Sequence, residues 1–382
     1  MQSTNWNYPT NIWVGEGRHK EITQACDRFG MSRLLVVVDS GLLNQSWVND
    51  LLEQLSSAYA CTSKSDVPGN PTGDDVAAGC ALASSLSADG IVAVGGGSVI
   101  DAAKAMALMT YQTVSLWELE DIGDQWQRAD PGKILPVIAI PTTAGTGSEV
   151  GRVSVITNPD EQRKVLIFHP DMPANLVILD PVCIAGLPPS ITAATGMDAL
   201  SHCLEAWCAP GFHPMADGIA LSGMKLIKQS LATSVFDGGN LVARTHMLTA
   251  SVMGATAFQK GLGAMHALAH PLGARYGLHH GLLNAVLMPY VVEKNARAIQ
   301  DRLVELARTL GLGERPAMWW IGYSSCAISC RYQRIFKHPR ATVSIACGYQ
   351  SRRYEIQVLR RTLSLSPRKT MNHCCIPRSD SS

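Results

Sequence analysis

The stretch Gly90-Ile-Val-Ala-Val-Gly-Gly-Gly-Ser98 decides the fold class. Its apolar run has strand length, is rich in β-branched residues and is bounded by glycine, so it reads as a strand buried on both faces. Through three glycines it passes into a segment, 98–109, with helical apolar spacing. Strand, glycine turn and helix make the βα unit of a parallel sheet. Glycine lets the backbone approach a ligand closely, and the first helical turn offers free N–H donors, so the stretch suits a phosphate group. It suits equally a plain tight turn in which Ser98 and Asp101 make a capping-box-like helix start, because Gly-Gly-Gly-Ser is not the G-x-G-x-x-G fingerprint.

Working outward, the alternation repeats. Residues 34–38 and 134–140 read as further strands, 48–58 and 74–87 as helices, and Pro68-Gly-Asn-Pro71 as a tight loop. After about residue 187 the strand signal fades and helical spacing takes over, at 190–207, 216–233, 241–258, 262–276 and 283–310. The expected fold is an α/β, Rossmann-like N-terminal domain over 1–187 followed by an all-α domain over 188–315. The cleft between them is the natural place for a ligand.

Composition excludes several function classes. In 382 residues, 32 Lys and Arg face 31 Asp and Glu, a formal charge of +1 that provides no field for nucleic acid or an anionic membrane. No apolar run nears the ~20 residues of a membrane helix, and residues 1–11 lack the basic-then-apolar order of a secretory signal. Eleven scattered cysteines without a C-x-x-C pair fit a reducing compartment, so a soluble cytoplasmic protein is expected. The charge is uneven, however. Residues 316–382 hold eleven basic and two acidic side chains, so the tail carries +9 and the first 315 residues −8. The tail also holds five of the cysteines and loses the helical spacing before it, which reads as an atypical segment, such as a shifted reading frame would produce.

The chemistry-bearing residues fall in two groups. Pro141-Thr-Thr-Ala-Gly-Thr-Gly-Ser-Glu149 follows the 134–140 strand and packs hydroxyls and glycines into one loop, which can wrap a second side of a dinucleotide or serve as a polar turn. Asp39 directly follows the 34–38 strand, where a carboxylate accepts hydrogen bonds from a ribose 2′-OH and repels a 2′-phosphate. That favours NAD over NADP, with helix capping as the plainer role. In the helical half, Asp198 and His202 stand at i and i+4, His266 and His270 repeat the spacing, and His279-His280 follow in an expected loop, 277–281. Seven of the eleven histidines lie between His202 and His280, on segments otherwise dominated by Ala, Leu, Met and Gly. Buried imidazoles and a carboxylate are costly without partners, so a divalent metal accounts for them better than chance does.

Taken together, Gly95-Gly-Gly-Ser-Val-Ile-Asp101, the 141–149 loop, Gly196-Met-Asp-Ala-Leu-Ser-His202, His266-Ala-Leu-Ala-His-Pro-Leu-Gly273 and His280-Gly281 resemble the iron-containing (group III) alcohol dehydrogenases, from about residue 11 to 312. The resemblance implies a Rossmann-like domain and a helical domain around a cleft, often in a homodimer. It implies metal ligands Asp198, His202, His266 and His280, with Fe2+ foremost and Zn2+ or Mn2+ also suited. NAD would contact Asp39, Asn70, Gly97, Ser98, Thr142, Thr143, Thr146 and Lys164. The implied reaction is metal-assisted hydride transfer between a primary alcohol or short hydroxy acid and NAD, giving an aldehyde or ketone. His270 would relay the proton, a task suited to an imidazole. Arg152 offers a partner for a hydroxy-acid carboxylate, against a structural role. The competing readings are a catalytically impaired member with a non-native C-terminus and a dehydroquinate-synthase-like or metal-free reductase relative.

Overall fold

The computed structural model describes Tyr8 and residues 10–312. The basic tail expected over 316–382 lies outside the described residues. Six parallel strands form one sheet: β1 (Asn11–Val14), β2 (Arg33–Val38), β3 (Ala60–Lys64), β4 (Gly90–Gly95), β5 (Val137–Pro141) and β8 (Leu176–Leu179), in the order β1-β8-β5-β4-β2-β3. Between β5 and β8 the chain makes an antiparallel hairpin of β6 (Val153–Asn158) and β7 (Arg163–Phe168). Helices α1 (Ile22–Arg28), α2 (Ser46–Ala58), α3 (Gly73–Ser85) and α4 (Gly97–Met109) connect the strands. The short α5 (Val182–Ala185) leads into the helical part: α6 (Pro189–Cys208), α7 (Pro214–Phe236), α8 (Leu241–Ala257), α9 (Ala264–Tyr276), α10 (His280–Asn295) and α11 (Gln300–Thr309).

The sheet divides two cores, and strand periodicity assigns side chains to each. On β2, Leu34, Val36 and Val38 pack with Ile22 of α1 and with Leu51 and Leu55 of α2, while Leu35 and Val37 pack with Ile100 and Met106 of α4. β4 and β5 alternate in the same way, with Val92, Val94, Ile138 and Ile140 on one side and Ile91, Ala93, Val137 and Ala139 on the other. Both faces are covered, which is why these strands are continuous apolar runs. Strand order reverses between β2, whose other neighbour is β3, and β4, from which β5 and β8 extend the opposite way. In open α/β sheets the carboxyl ends of strands at such a point open a ligand crevice.

α6 is the axis of the helical part. Every residue from Thr192 to Trp207 is buried, and α7, α8 and α10 pack around it. A helix buried on all sides has no solvent stripe, which explains why small and apolar residues make up most of it. Pro189 occupies its first turn, where the missing N–H costs nothing.

Three boundaries differ from expectation. The helix expected over 283–310 is two, α10 and α11, because the chain turns after Asn295 so that α11 buries Leu303, Leu306 and Ala307 beside α7. His280 opens α10 instead of lying in a loop, with His279 as the residue before it. The strand expected from 134 starts at Val137, since Pro131–Lys133 form a 3-10 turn and Pro136 has no N–H to donate. Among the described residues no helix is long and apolar enough to cross a membrane.

Candidate metal centre and nucleotide cleft

Asp198 and His202 project from one face of α6, as the i, i+4 spacing requires, and are 2% and 5% exposed. α9 brings His266 against them, and candidate ligand atoms of Asp198, His202 and His266 all lie within 4.8 Å of one another. The His202 and His266 rings stack with centroids 4.7 Å apart. From the first turn of α10, His280 Nε2 stands 3.6 Å from Asp198 Oδ1, and His266 Nε2 stands 4.0 Å from the same oxygen. The four side chains singled out in the sequence therefore converge. His280 is the open member, its side chain 32% exposed against 3% for Asp198. His270 lies beside it, ring centroids 5.0 Å apart, and meets His266 edge-on at 5.9 Å.

Close backbone packing makes this convergence possible. A Cβ on Gly281 would stand 2.2 Å from the Ala194 carbonyl oxygen, so only glycine lets the start of α10 rest on α6. Likewise a Cβ on Gly254 would crowd His202 Cβ at 3.0 Å, which seats α8 against the same face.

The electrostatics favour a cation. Burial alone would raise the Asp198 carboxyl, but His202, His280, His266 and an Asn284 hydrogen bond overcome it and hold the group at about 2. Burial pushes His202 down to about 4, against the opposing pull of Asp198, and it pushes His270 down to about 4 with help from His280 and His266. At neutral pH Asp198 is thus an ionised carboxylate beside a neutral His202, the protonation states that metal ligands need. His202 Nδ1 and Asn284 Oδ1 are buried without hydrogen-bond partners. Buried polar atoms are normally paired, so the donor set and its orphaned nitrogen fit a divalent metal.

Two residues of the cluster escaped the sequence reading. Asn284 Nδ2 donates to Asp198 Oδ1 at 2.8 Å and lies 3.2 Å from both His266 Nε2 and His280 Nε2. Glu205 Oε2 lies 2.6 Å from His266 Nδ1. The signal was present: Glu205 follows Asp198 by seven positions and His202 by three, and Asn284 follows His280 by four, so each continues a helical face already marked.

Most of the residues expected to contact NAD lie at the carboxyl ends of adjacent strands. Asp39 follows β2, Gly97 and Ser98 open α4 after β4, Thr142, Thr143 and Thr146 follow β5, and exposed Asn70 lies between β3 and α3. Gly97 sits under Thr146, whose side chain would be 2.7 Å from an added Cβ. Ser98 Oγ donates to the Gly69 carbonyl at 2.6 Å, which joins the glycine turn to the Pro68–Pro71 region. Asp39 Oδ1 accepts from Gly41 N–H at 2.8 Å, so one carboxylate oxygen performs the plainer capping role. Ser98 and Asp101 form no capping box. Instead Asp101 accepts from Ser148 Oγ and from Val155 N–H, and ion-pairs with Lys104 at 3.3 Å.

Lys104 is a second feature missed from sequence. Its ammonium, buried to 1% exposure, donates to the carbonyls of Ser148 (2.8 Å), Gly151 (3.1 Å) and Val153 (2.6 Å). It thereby fixes the 142–151 loop from below. The loop in turn presses on the metal-side helices. An added Cβ would stand 2.6 Å from the Thr195 carbonyl of α6 at Gly145, and 2.2 Å from Ala255 Cβ of α8 at Gly147, whose φ is +61°. Burial pushes His280 down as it does His270, the charge of half-buried Lys164 on the hairpin adds a smaller push to both, and β7 packs on α9. Arg152 stacks its guanidinium over the Phe168 ring at 5.6 Å, a packing role.

Comparison with known proteins points one way. Residues 9–181 match the family model described as iron-containing alcohol dehydrogenase, and 192–318 match that of the Fe-containing alcohol dehydrogenase family, C-terminal. A 4-hydroxybutyrate dehydrogenase of Cupriavidus necator is 39% identical over 314 residues, covering 80% of this chain and 81% of the relative. Alcohol dehydrogenase 4 of Saccharomyces cerevisiae is 35% identical over 317 residues, 81% of each chain. Among solved structures, sulfoacetaldehyde reductase from Bifidobacterium kashiwanohense in complex with NAD+ superposes with a TM-score of 0.79 at 31% identity, covering 87% of this chain and 86% of that one. A 1,3-propanediol oxidoreductase gives the same score and identity over 87% of both chains.

Proposed function

The chain belongs to the iron-containing alcohol dehydrogenases, and from that premise we propose that it interconverts primary alcohols or short hydroxy acids with their carbonyl products, using NAD and one divalent metal, Fe2+ foremost. The observation that carries this reading is the buried convergence of Asp198, His202, His266 and His280 beside a glycine-rich crevice. When bound, iron supplies Lewis-acid polarisation of the substrate oxygen and NAD supplies the hydride acceptor.

The protein's own part is holding, orienting and moving a proton. Asp198, His202, His266 and His280 hold the cation. The 95–98 turn and the 142–146 loop receive the dinucleotide, with Thr142, Thr143 and Thr146 on one side and Gly97 and Ser98 on the other. Asn70 and Lys164 complete the contacts, and Asp39 favours NAD over its 2′-phosphorylated form. His270, neutral because it is buried, accepts the alcohol proton and passes it outward past the exposed edge of His280. Substrate enters on that same side, since the other ligands are closed off by α6 and α9.

The domain division at 187/188 is part of this proposal, supported by its place in the gap between the two family matches, which end at 181 and resume at 192. So is a homodimer, for which β1, an edge strand of the sheet among the described residues, is a ready surface. A cytoplasmic setting agrees with the six cysteines of the described residues, all free.

The test is direct. Protein loaded with Fe2+ under anaerobic conditions should form NADH with ethanol, 1,3-propanediol or 4-hydroxybutyrate, lose activity to a chelator and regain it with iron. Turnover that survives complete metal removal would overturn the reading.

A further inference from the structure

Beyond the metal's own ligands, we infer that Glu205 is a positioning residue that fixes the tautomer of His266 and the start of α9, so that His266 Nε2 is the bare nitrogen offered to the cation. This rests on the four-ligand reading above. Glu205 is 6% exposed, and each of its acceptor positions is used. Oε1 accepts from Met265 N–H at 2.7 Å, and Oε2 accepts from Gly263 N–H at 2.8 Å. Gly263 is the residue before α9 and Met265 lies in its first turn, so the carboxylate satisfies two of the donors a helix start leaves open, at the end where negative charge is favoured.

The third contact, His266 Nδ1 at 2.6 Å from Oε2, needs a proton between the two atoms. Each Glu205 oxygen already accepts a backbone N–H, so the side chain stands as the acceptor of this contact too and Nδ1–H donates. With Nδ1–H turned to the carboxylate, Nε2 is the nitrogen left to offer a lone pair to a cation. The other side of the ring agrees independently, because Asn284 Nδ2 lies 3.2 Å from Nε2, where an amide N–H finds an acceptor. Nε2 is also the nitrogen that faces Asp198 Oδ1, at 4.0 Å. Carboxylate partners of this kind orient metal-bound histidines and raise their basicity, and their loss typically lowers metal affinity about 10–100-fold.

Glu205→Gln separates this role from filling space. Three N–H donors face the side chain, and an amide can accept at only one of its two positions. With NH2 at the Oε2 position, His266 would be driven to the Nε2–H tautomer, which cannot bind a cation. With NH2 at the Oε1 position, the amide would oppose Met265 N–H. Equilibrium dialysis of the full chain against Fe2+ or Co2+ should show E205Q binding at least tenfold more weakly than the parent, and nitrogen-15 spectra of the metal-free parent should show His266 as the Nδ1–H tautomer. Unchanged metal affinity in E205Q, with Asp198→Ala failing to bind, would overturn the role of Glu205 and leave the metal centre standing. A parent chain that binds neither metal would overturn both. If E205Q fails to fold, the tautomer of the parent decides alone: an Nε2–H ring in the metal-free protein would refute the assignment.

Discussion

His202 and His270 set the acid limit of the metal-free protein. Both are pushed from 6.5 down to about 4, with burial the largest cause, so below pH 6.5 the unfolded chain takes up protons that the folded chain refuses. Their contribution to stability is full above the unfolded value and is lost as pH falls toward 4. Asp198, held at about 2 against an ordinary 3.8, adds a further loss below that window. Urea midpoints of the metal-free protein should therefore fall more between pH 7 and pH 4.5 in the parent than in His270→Ala, since Glu149, pushed up to about 7 by burial, pulls the other way equally in both, and equal falls would contradict a depressed His270. His270 carries a separate expectation. His270→Ala should cut turnover about 10²–10⁴-fold with iron content unchanged, and loss of iron in that variant would assign His270 to metal binding instead.

At the scale of elements, two helix contacts decide whether these side chains meet. Gly281→Ala puts a methyl 2.2 Å from a backbone oxygen of α6, which no rotamer can relieve. α10 must retreat, and His280 moves away from Asp198. The expected result is a large loss of iron affinity with the helical content in circular dichroism retained. Lys104→Ala removes the donor from three carbonyls beneath the nucleotide loop, each costing about 1–3 kcal/mol if left unpaired. A lower unfolding midpoint and a raised KM for NAD should appear together. Reduced stability with unchanged KM would show that the loop keeps its form without the lysine.

Over the whole molecule, the reading from sequence succeeded where one physical signal dominated. Continuous β-branched runs can only be central strands of a covered sheet, so β2, β4 and β5 were legible, and the i, i+4 pairs of Asp198–His202 and His266–His270 marked faces whatever the tertiary packing. β1 and β8, four residues each, carry too little periodicity to be distinguished, and the β6–β7 hairpin shows only as a pair of apolar alternations. Glu205 continues the face marked by Asp198 and His202, but its partner His266 lies 61 residues on, and Lys104 was passed over because a charge in an apolar helix gives no hint of carbonyl partners such as Ser148, 44 residues away. Metal linkage should be visible at this scale as well. Iron at a hundredfold above its dissociation constant adds about 2.7 kcal/mol, so the thermal midpoint should rise with iron in the parent chain and stay fixed in Asp198→Ala.

The contact of Gly145 and Gly147 with α6 and α8 bears on how such an enzyme can be recombined. A chimera spliced at 187/188 from two relatives would keep each half intact yet mismatch the surface where a loop coded in the first half abuts helices coded in the second. Successful exchanges should therefore carry segment 143–151 together with 195–198 and 251–255, even though some fifty to a hundred positions separate them along the chain. In heritable terms, the unit is this seam, and the linear boundary between the halves is secondary to it.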